Sequence, residues 1–91
     1  MRITFDPPKR ERTLQQRTLD FLDAEIVFHG LTYTIEDLRF CYPERRFVTY
    51  GLLENRLVVI VWTSIDEDHR HVISMRKANA REQARYRDRL G

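Results

Sequence analysis

Residues 56–64, Arg-Leu-Val-Val-Ile-Val-Trp-Thr-Ser, constrain the fold more than any other stretch of the chain. Apolar side chains follow one another without the alternation of a half-exposed strand. Such a run belongs in a strand buried on both faces, hence at the centre of a sheet. The rest of the chain must supply neighbours and covering layers for it. Ninety-one residues leave room for one core, so a single domain over residues 1–91 is expected.

The neighbours can be read outward from that run. Glu54-Asn55 makes a hairpin turn before it, pairing it with a strand over Glu44 to Leu52. Asp66-Glu67-Asp68 makes an acidic turn after it, followed by a strand from Arg70 to Arg76. Links of this length make the three strands antiparallel. Arg2 to Phe5 predicts a short first strand, and Leu31 to Ile35 a short edge strand. Asp6-Pro7 reads as a helix start, with a basic peripheral helix from about Pro8 to Arg17. Leu19, Phe21, Leu22, Ala24, Ile26, Val27 and Phe28 give a second helix a broad apolar face. Thr18 or Asp20 would cap it, and Gly30 would stop it. A terminal helix is expected from Lys77 to about Leu90, where Ala, Arg, Glu and Gln dominate. The class is α+β: helices segregated onto an antiparallel meander.

The net charge of +2 conceals a pattern. Residues 1–17 hold five basic and two acidic side chains, residues 18–68 four and ten, and residues 69–91 seven and two. If the two ends meet in space, they form one cationic surface. Only Lys9 and Lys77 among the sixteen basic residues are lysines. The arginines favour planar, fork-like grips on phosphate or carboxylate over diffuse charge.

Several classes are disfavoured. The single cysteine, Cys41, allows no internal disulfide and leaves a Cys/His zinc site short of ligands. Beside Phe40 and Tyr42 it reads as an inert small side chain. There is no apolar run long enough to span a membrane and no signal-peptide core, so a soluble cytoplasmic protein is expected. No paired-histidine metal spacing, glycine-rich phosphate loop or nucleophile elbow is present, so neither metal nor cofactor is expected.

The chemistry-bearing residues concentrate around residues 70–76. Strict alternation puts Arg70, Val72, Ser74 and Arg76 on one face, and His71, Ile73 and Met75 on the other. Glu44, Arg46, Val48 and Tyr50 share a face of their own strand. If those faces coincide, Glu44, Arg46, Arg70, Ser74 and Arg76 converge. Metal-free RNA cleavage needs a base for the 2′-hydroxyl, cations for the phosphate and an acid for the leaving oxygen. Glu44 or His71 is the candidate base. Arg46, Arg70 and Arg76 are candidate stabilisers, and His71 or Tyr86 a candidate acid. Each has a structural alternative. Glu44 and Arg46 would make an ordinary surface ion pair, His71 a half-buried core residue, Ser74 a cap for the last helix and Tyr86 a packing residue. His29 reads as a cationic helix end and His69 as solvated in its acidic turn.

Phe5-Asp6-Pro7 with Lys9, and Phe21-Leu22-Asp23-Ala24 followed by Phe28, resemble the BrnT family of toxins. So do Glu44-x-Arg46-Phe47, Gly51 and Arg56-Leu57-Val58-Val59. The strongest marker is Val72-Ile73-Ser74-Met75-Arg76-Lys77-Ala78-Asn79, with Glu82 and Tyr86 after it. The resemblance implies a RelE-like ribonuclease fold and the toxin of a bacterial type II toxin–antitoxin pair, cutting RNA and halting translation. It implies a hetero-oligomer with a BrnA-like antitoxin that carries the DNA-binding domain, so that operator DNA is reached only through the antitoxin. Under this reading Glu44, Arg46, His71 and Arg76 are catalytic, and Lys9, Arg17, Arg70, Ser74 and Lys77 bind RNA. Two departures stand out. The family's Lys-His-Gly stretch is replaced by Arg17-Thr18-Leu19, and His71 stands where the family often has Arg. The alternative is a catalytically degenerate module that binds RNA or antitoxin without cutting.

Overall fold

The computed structural model describes residues 1–90, so Gly91 lies outside the described residues. Five strands form one sheet: β1 (Arg2–Phe5), β2 (Thr32–Glu36), β3 (Arg46–Leu53), β4 (Arg56–Asp66) and β5 (His69–Lys77). Their order is β1-β5-β4-β3-β2. The apolar run thus occupies the middle strand. β2 to β5 are antiparallel neighbours, while β1 joins the edge of β5 in parallel. The sheet is therefore mixed, and the two basic ends of the chain lie side by side. Glu54 and Asn55 both take left-handed backbone angles, as a two-residue hairpin between twisted strands requires.

Helix α1 (Pro7–Arg17) starts after an extended Asp6 and has proline at its first two positions. It runs beside the part of β5 that β1 is too short to cover, and Arg17 Nη1 donates to the Met75 carbonyl there at 2.9 Å. The second helix is shorter than its apolar pattern suggests. Phe21–Asp23 is a 3₁₀ turn capped by Asp20, and α2 covers Ala24–His29. The last helix also starts later than expected. Lys77 ends β5, and α3 is Ala80–Tyr86 followed by a 3₁₀ turn over Arg87–Leu90. Asn79 caps α3 in a reciprocal box with Glu82, which leaves Ser74 without the capping role.

The main core lies between α2, the 3₁₀ turn and one sheet face: Leu19, Phe21, Ala24, Val27, Val58, Ile60, Trp62, Val72 and Met75. On the other face α3 and the last turn cover only one end, over Tyr50, Leu57, Val59, Ala78 and Leu90. The remainder of that face is open. No helix is long and apolar enough to cross a membrane.

Gly51 lets α2 approach the sheet. A Cβ there would lie 2.5 Å from Val27 Cγ1 and 3.2 Å from Thr32 Cγ2. Gly51→Ala should therefore lower the unfolding free energy by about 1–3 kcal/mol through overpacking. Urea denaturation checks this; an unchanged midpoint would mean that the helix can shift at no cost.

Candidate active site

The strand β5 does not alternate regularly. Val61 pairs with Ser74 but Trp62 with Val72, so Ile73 is an extra residue on β5. This bulge reverses the facing of everything after it. Val72 and Met75, three apart, both enter the main core. Regular alternation before the bulge and the shifted register after it put His71, Ser74 and Arg76 on the open face. Arg70 goes to the helix-covered face. The expected grouping of Arg70 with Ser74 and Arg76, away from His71, is thereby corrected. Arg70 lies over the rings of Trp62 and Phe28, at 4.2 and 4.5 Å. Among the described residues no carboxylate pairs with it. Burial lowers its pKa from the ordinary arginine value, and the aromatic faces supply the compensating attraction.

On the open face, register pairs Thr4 with His71, His71 with Thr63, and Thr63 with Arg46. A cleft of about 520 Å³ over this row is lined by Lys9, Glu44, Arg46 and His71. Arg46 Nε donates to Glu44 Oε1 at 3.0 Å, and its guanidinium lies over the Tyr42 ring at 4.2 Å. The carboxylate and the ring together fix where that cation sits. His71 is oriented from the edge strand. Thr4 Oγ1 lies 2.9 Å from His71 Nδ1 and 2.8 Å from His69 Nε2. A hydroxyl carries one proton and can accept two. It can therefore accept from His71 Nδ1 while donating to His69 Nε2. His69, expected to be solvated, is half-buried in this arrangement.

A second cleft of about 440 Å³ adjoins the first on the same face and contains Ser74 and Arg76. Arg76 donates from both terminal nitrogens to Glu82, at 2.8 Å each. Glu82 also accepts the Asn79 backbone N–H. These contacts hold the Glu82 carboxyl below the ordinary glutamate value, with the Arg76 hydrogen bonds as the largest cause. The Tyr50 ring stacks on Tyr86 at 4.0 Å. Burial first, then Tyr86 and Glu82, pushes the Tyr50 phenol up to about 12, so it stays protonated. Tyr86 is thus a packing partner of Tyr50, which lines this cleft. Lys77 and Arg17 lie together with Arg76 around a shallower groove, with Arg17 engaged on β5 as described.

Asp37, Arg39, Tyr42 and Thr4 were not singled out from the sequence. The Asp37 side chain is 2% exposed, yet Arg39, which it binds through Nε and Nη2, is 73% exposed. The Tyr42 hydroxyl donates to the same carboxylate at 3.0 Å. Tyr42 therefore ties the Arg46 cluster to the Arg39 pair. The only sequence signal was the close spacing of Asp37 and Arg39, common in any charged loop. Cys41, in the same loop, is exposed and free. Among the described residues no three His, Cys, Asp or Glu side chains are placed to share a metal ion.

With this geometry in hand, the chain can be compared with known proteins. A family model described as the ribonuclease toxin BrnT of type II toxin–antitoxin systems matches residues 5–82. The chain belongs to the BrnT family. Among solved structures it is similar to the Brucella abortus ribonuclease toxin BrnT, with a TM-score of 0.66 and 23% sequence identity. The match covers 87% of this chain and 97% of that one, and at this identity it speaks for the shared fold. Among curated proteins none matches in sequence. The α+β architecture expected from the sequence is that of a BrnT toxin.

The loop linking the two clusters yields a pH prediction. The Arg39 hydrogen bonds, ahead of the opposing effect of burial, hold the Asp37 carboxyl well below its ordinary value of 3.8. A depressed folded-state pKa contributes stability above the unfolded value and loses it as pH falls toward the folded one. Asp37→Asn should therefore destabilise the protein at pH 7, with the difference shrinking as pH drops below about 4. Thermal melts of both proteins across that range check it; a difference independent of pH would mean that the Asp37 charge contributes nothing.

Proposed function

We propose that this BrnT family member is a metal-independent endoribonuclease whose reaction centre is the cleft around Arg46. The observation that carries the reading is the shared cleft itself. It brings together a carboxylate, Glu44, a histidine, His71, and two cations, Arg46 and Lys9, from three separate segments of the chain. Those are the groups that metal-free phosphodiester cleavage requires.

In this mechanism Glu44 takes the proton from the 2′-hydroxyl, and the freed oxygen attacks the adjacent phosphorus. Arg46 and Lys9 neutralise the charge that builds on the phosphoryl oxygens. His71, held through Nδ1 by Thr4, gives its Nε2 proton to the departing 5′-oxygen. The products are a 2′,3′-cyclic phosphate and a 5′-hydroxyl end. Arg76 and Ser74 bind the RNA beside the cleavage point. Arg17 and Lys77 border the basic groove along α1 and the end of β5. Arg70 has no part in this mechanism, because its guanidinium is engaged with aromatic rings on the far face.

Membership of a type II toxin–antitoxin family supports the biological setting. RNA cleavage would halt translation in the cytoplasm. A cognate BrnA-like antitoxin would neutralise the single toxin domain in a hetero-oligomer, and would bring operator DNA to the complex. The binding-only alternative is favoured by one feature, the absence of the family histidine at Arg17-Thr18-Leu19.

One assay separates the two. Purified protein incubated with RNA in excess chelator should cleave it and leave cyclic phosphate ends, and Arg46→Ala should slow cleavage by about 10²-fold. Intact RNA with the wild-type protein would favour the binding-only module. Cleavage abolished by chelator would contradict the metal-free mechanism.

A further inference from the structure

The second cleft holds furniture that phosphate binding alone does not explain. Its lining sets apolar side chains, Val48 and Val61 on the sheet with Ile35 and Leu38 at the rim, beside the carboxylates of Glu36, Asp37 and Glu82. Leu38 is 79% exposed, an apolar side chain with no protein partner covering it. Two guanidinium groups, Arg39 and Arg76, border the same cleft. Each is already paired with a carboxylate, Arg39 with Asp37 and Arg76 with Glu82, so what they offer a ligand is directed N–H donors rather than unbalanced charge.

Arg39 is also held in a costly way. A carboxylate almost wholly removed from water, Asp37, spends both oxygens on holding it, together with the Tyr42 hydroxyl. Nε and Nη2 of Arg39 face Asp37, which leaves Nη1 unengaged among the described residues. A buried carboxylate anchoring an exposed guanidinium makes a pre-organised cation rather than a mobile surface arginine. A ligand fitting this cleft must combine an apolar surface with a polar edge that accepts from the free Arg39 nitrogen. A nucleobase does so, by its ring face and its hydrogen-bonding edge.

We propose that this cleft is a nucleobase subsite that selects the residue flanking the cleavage point, with Arg39 as its clamp. The inference rests on the ribonuclease reading above and assigns its sequence preference to a specific place. The spacing suits that role. Thr63 lines the first cleft, and Val61 and Val59 line the second, which separates them by about 7–13 Å along β4 at the rise of a strand. Tyr42 spans the two, touching Arg46 with its ring and Asp37 with its hydroxyl, so both clefts are set by one loop.

The test uses the full chain and 2′-O-methyl hexanucleotides of A, C, G or U, which bind but cannot be cut through the 2′-oxygen. Wild-type protein should prefer one base. Arg39→Ala alone would strand the Asp37 carboxylate, so the variant also carries Asp37→Asn. That double variant should bind the preferred oligonucleotide about tenfold more weakly and lose the discrimination between bases. Leu38→Asn, at an exposed position, should reduce discrimination without changing the salt dependence of binding. If both variants keep wild-type affinity and preference while the protein still cleaves RNA, the subsite is wrong and the ribonuclease reading stands. If the wild-type protein neither binds these oligonucleotides nor cleaves RNA, both fail together.

Discussion

The single extra residue in β5, Ile73, sets which side chains each face of the sheet carries. Without it, either Val72 or Met75 would be turned out of the core, forfeiting about 1.5–3 kcal/mol of apolar burial. With it, both side chains pack under α2 and the 3₁₀ turn, and His71, Ser74 and Arg76 share the opposite face. The packing requirement of the core and the composition of the open face are thus two results of one register shift. β1 reinforces it from the edge. It pairs only as far as Val72, so α1 takes over beside the bulge, and Thr4 arrives next to His71.

On the open face, charge is organised by pairing. Arg46 is held by Glu44, Arg76 by Glu82 and Arg39 by Asp37. The partly exposed pairs at Arg46 and Arg76 contribute little stability, so they are better understood as positioning devices. Each leaves part of a guanidinium available in a fixed direction, which suits a phosphate better than a mobile lysine does. The family shares a ribonuclease toxin description, and the fold matches a known BrnT toxin. The arrangement around His71 is built across two neighbouring strands, with Thr4 on β1 beside His69 and His71 on β5. The Thr4 hydroxyl and His69 give that histidine a defined ring orientation, which general acid catalysis needs.

Much of the fold was legible in the sequence. The apolar run at Arg56–Ser64 announced a central strand because six consecutive apolar, mostly β-branched side chains suit a strand buried on both faces. Glu54-Asn55 announced a hairpin, and Asp6-Pro7 a helix start. The parallel placement of β1 was not legible, since nothing local to residues 2–5 names a partner sixty-odd residues away. The bulge was invisible for a related reason: alternation is a local rule, and the core overrode it. That override is why the sequence grouped Arg70 with Arg76 and separated both from His71. The capping box at Asn79 and Glu82 was written in the chain, but it was obscured by the helix-forming residues before it. The Asp37–Arg39–Tyr42 unit depends on a loop conformation that short spacing alone does not specify.

The most direct measurement compares two adjacent residues that the bulge sends to opposite faces. Single-turnover cleavage of one RNA should be measured for His71→Ala and Arg70→Ala, each at a temperature where the variant is fully folded. Cleavage by His71→Ala should fall by about 10²-fold or more, while Arg70→Ala should cleave at close to the wild-type rate. The reverse result, a loss at Arg70 with His71 dispensable, would contradict both the facing of β5 and the reaction centre built on it.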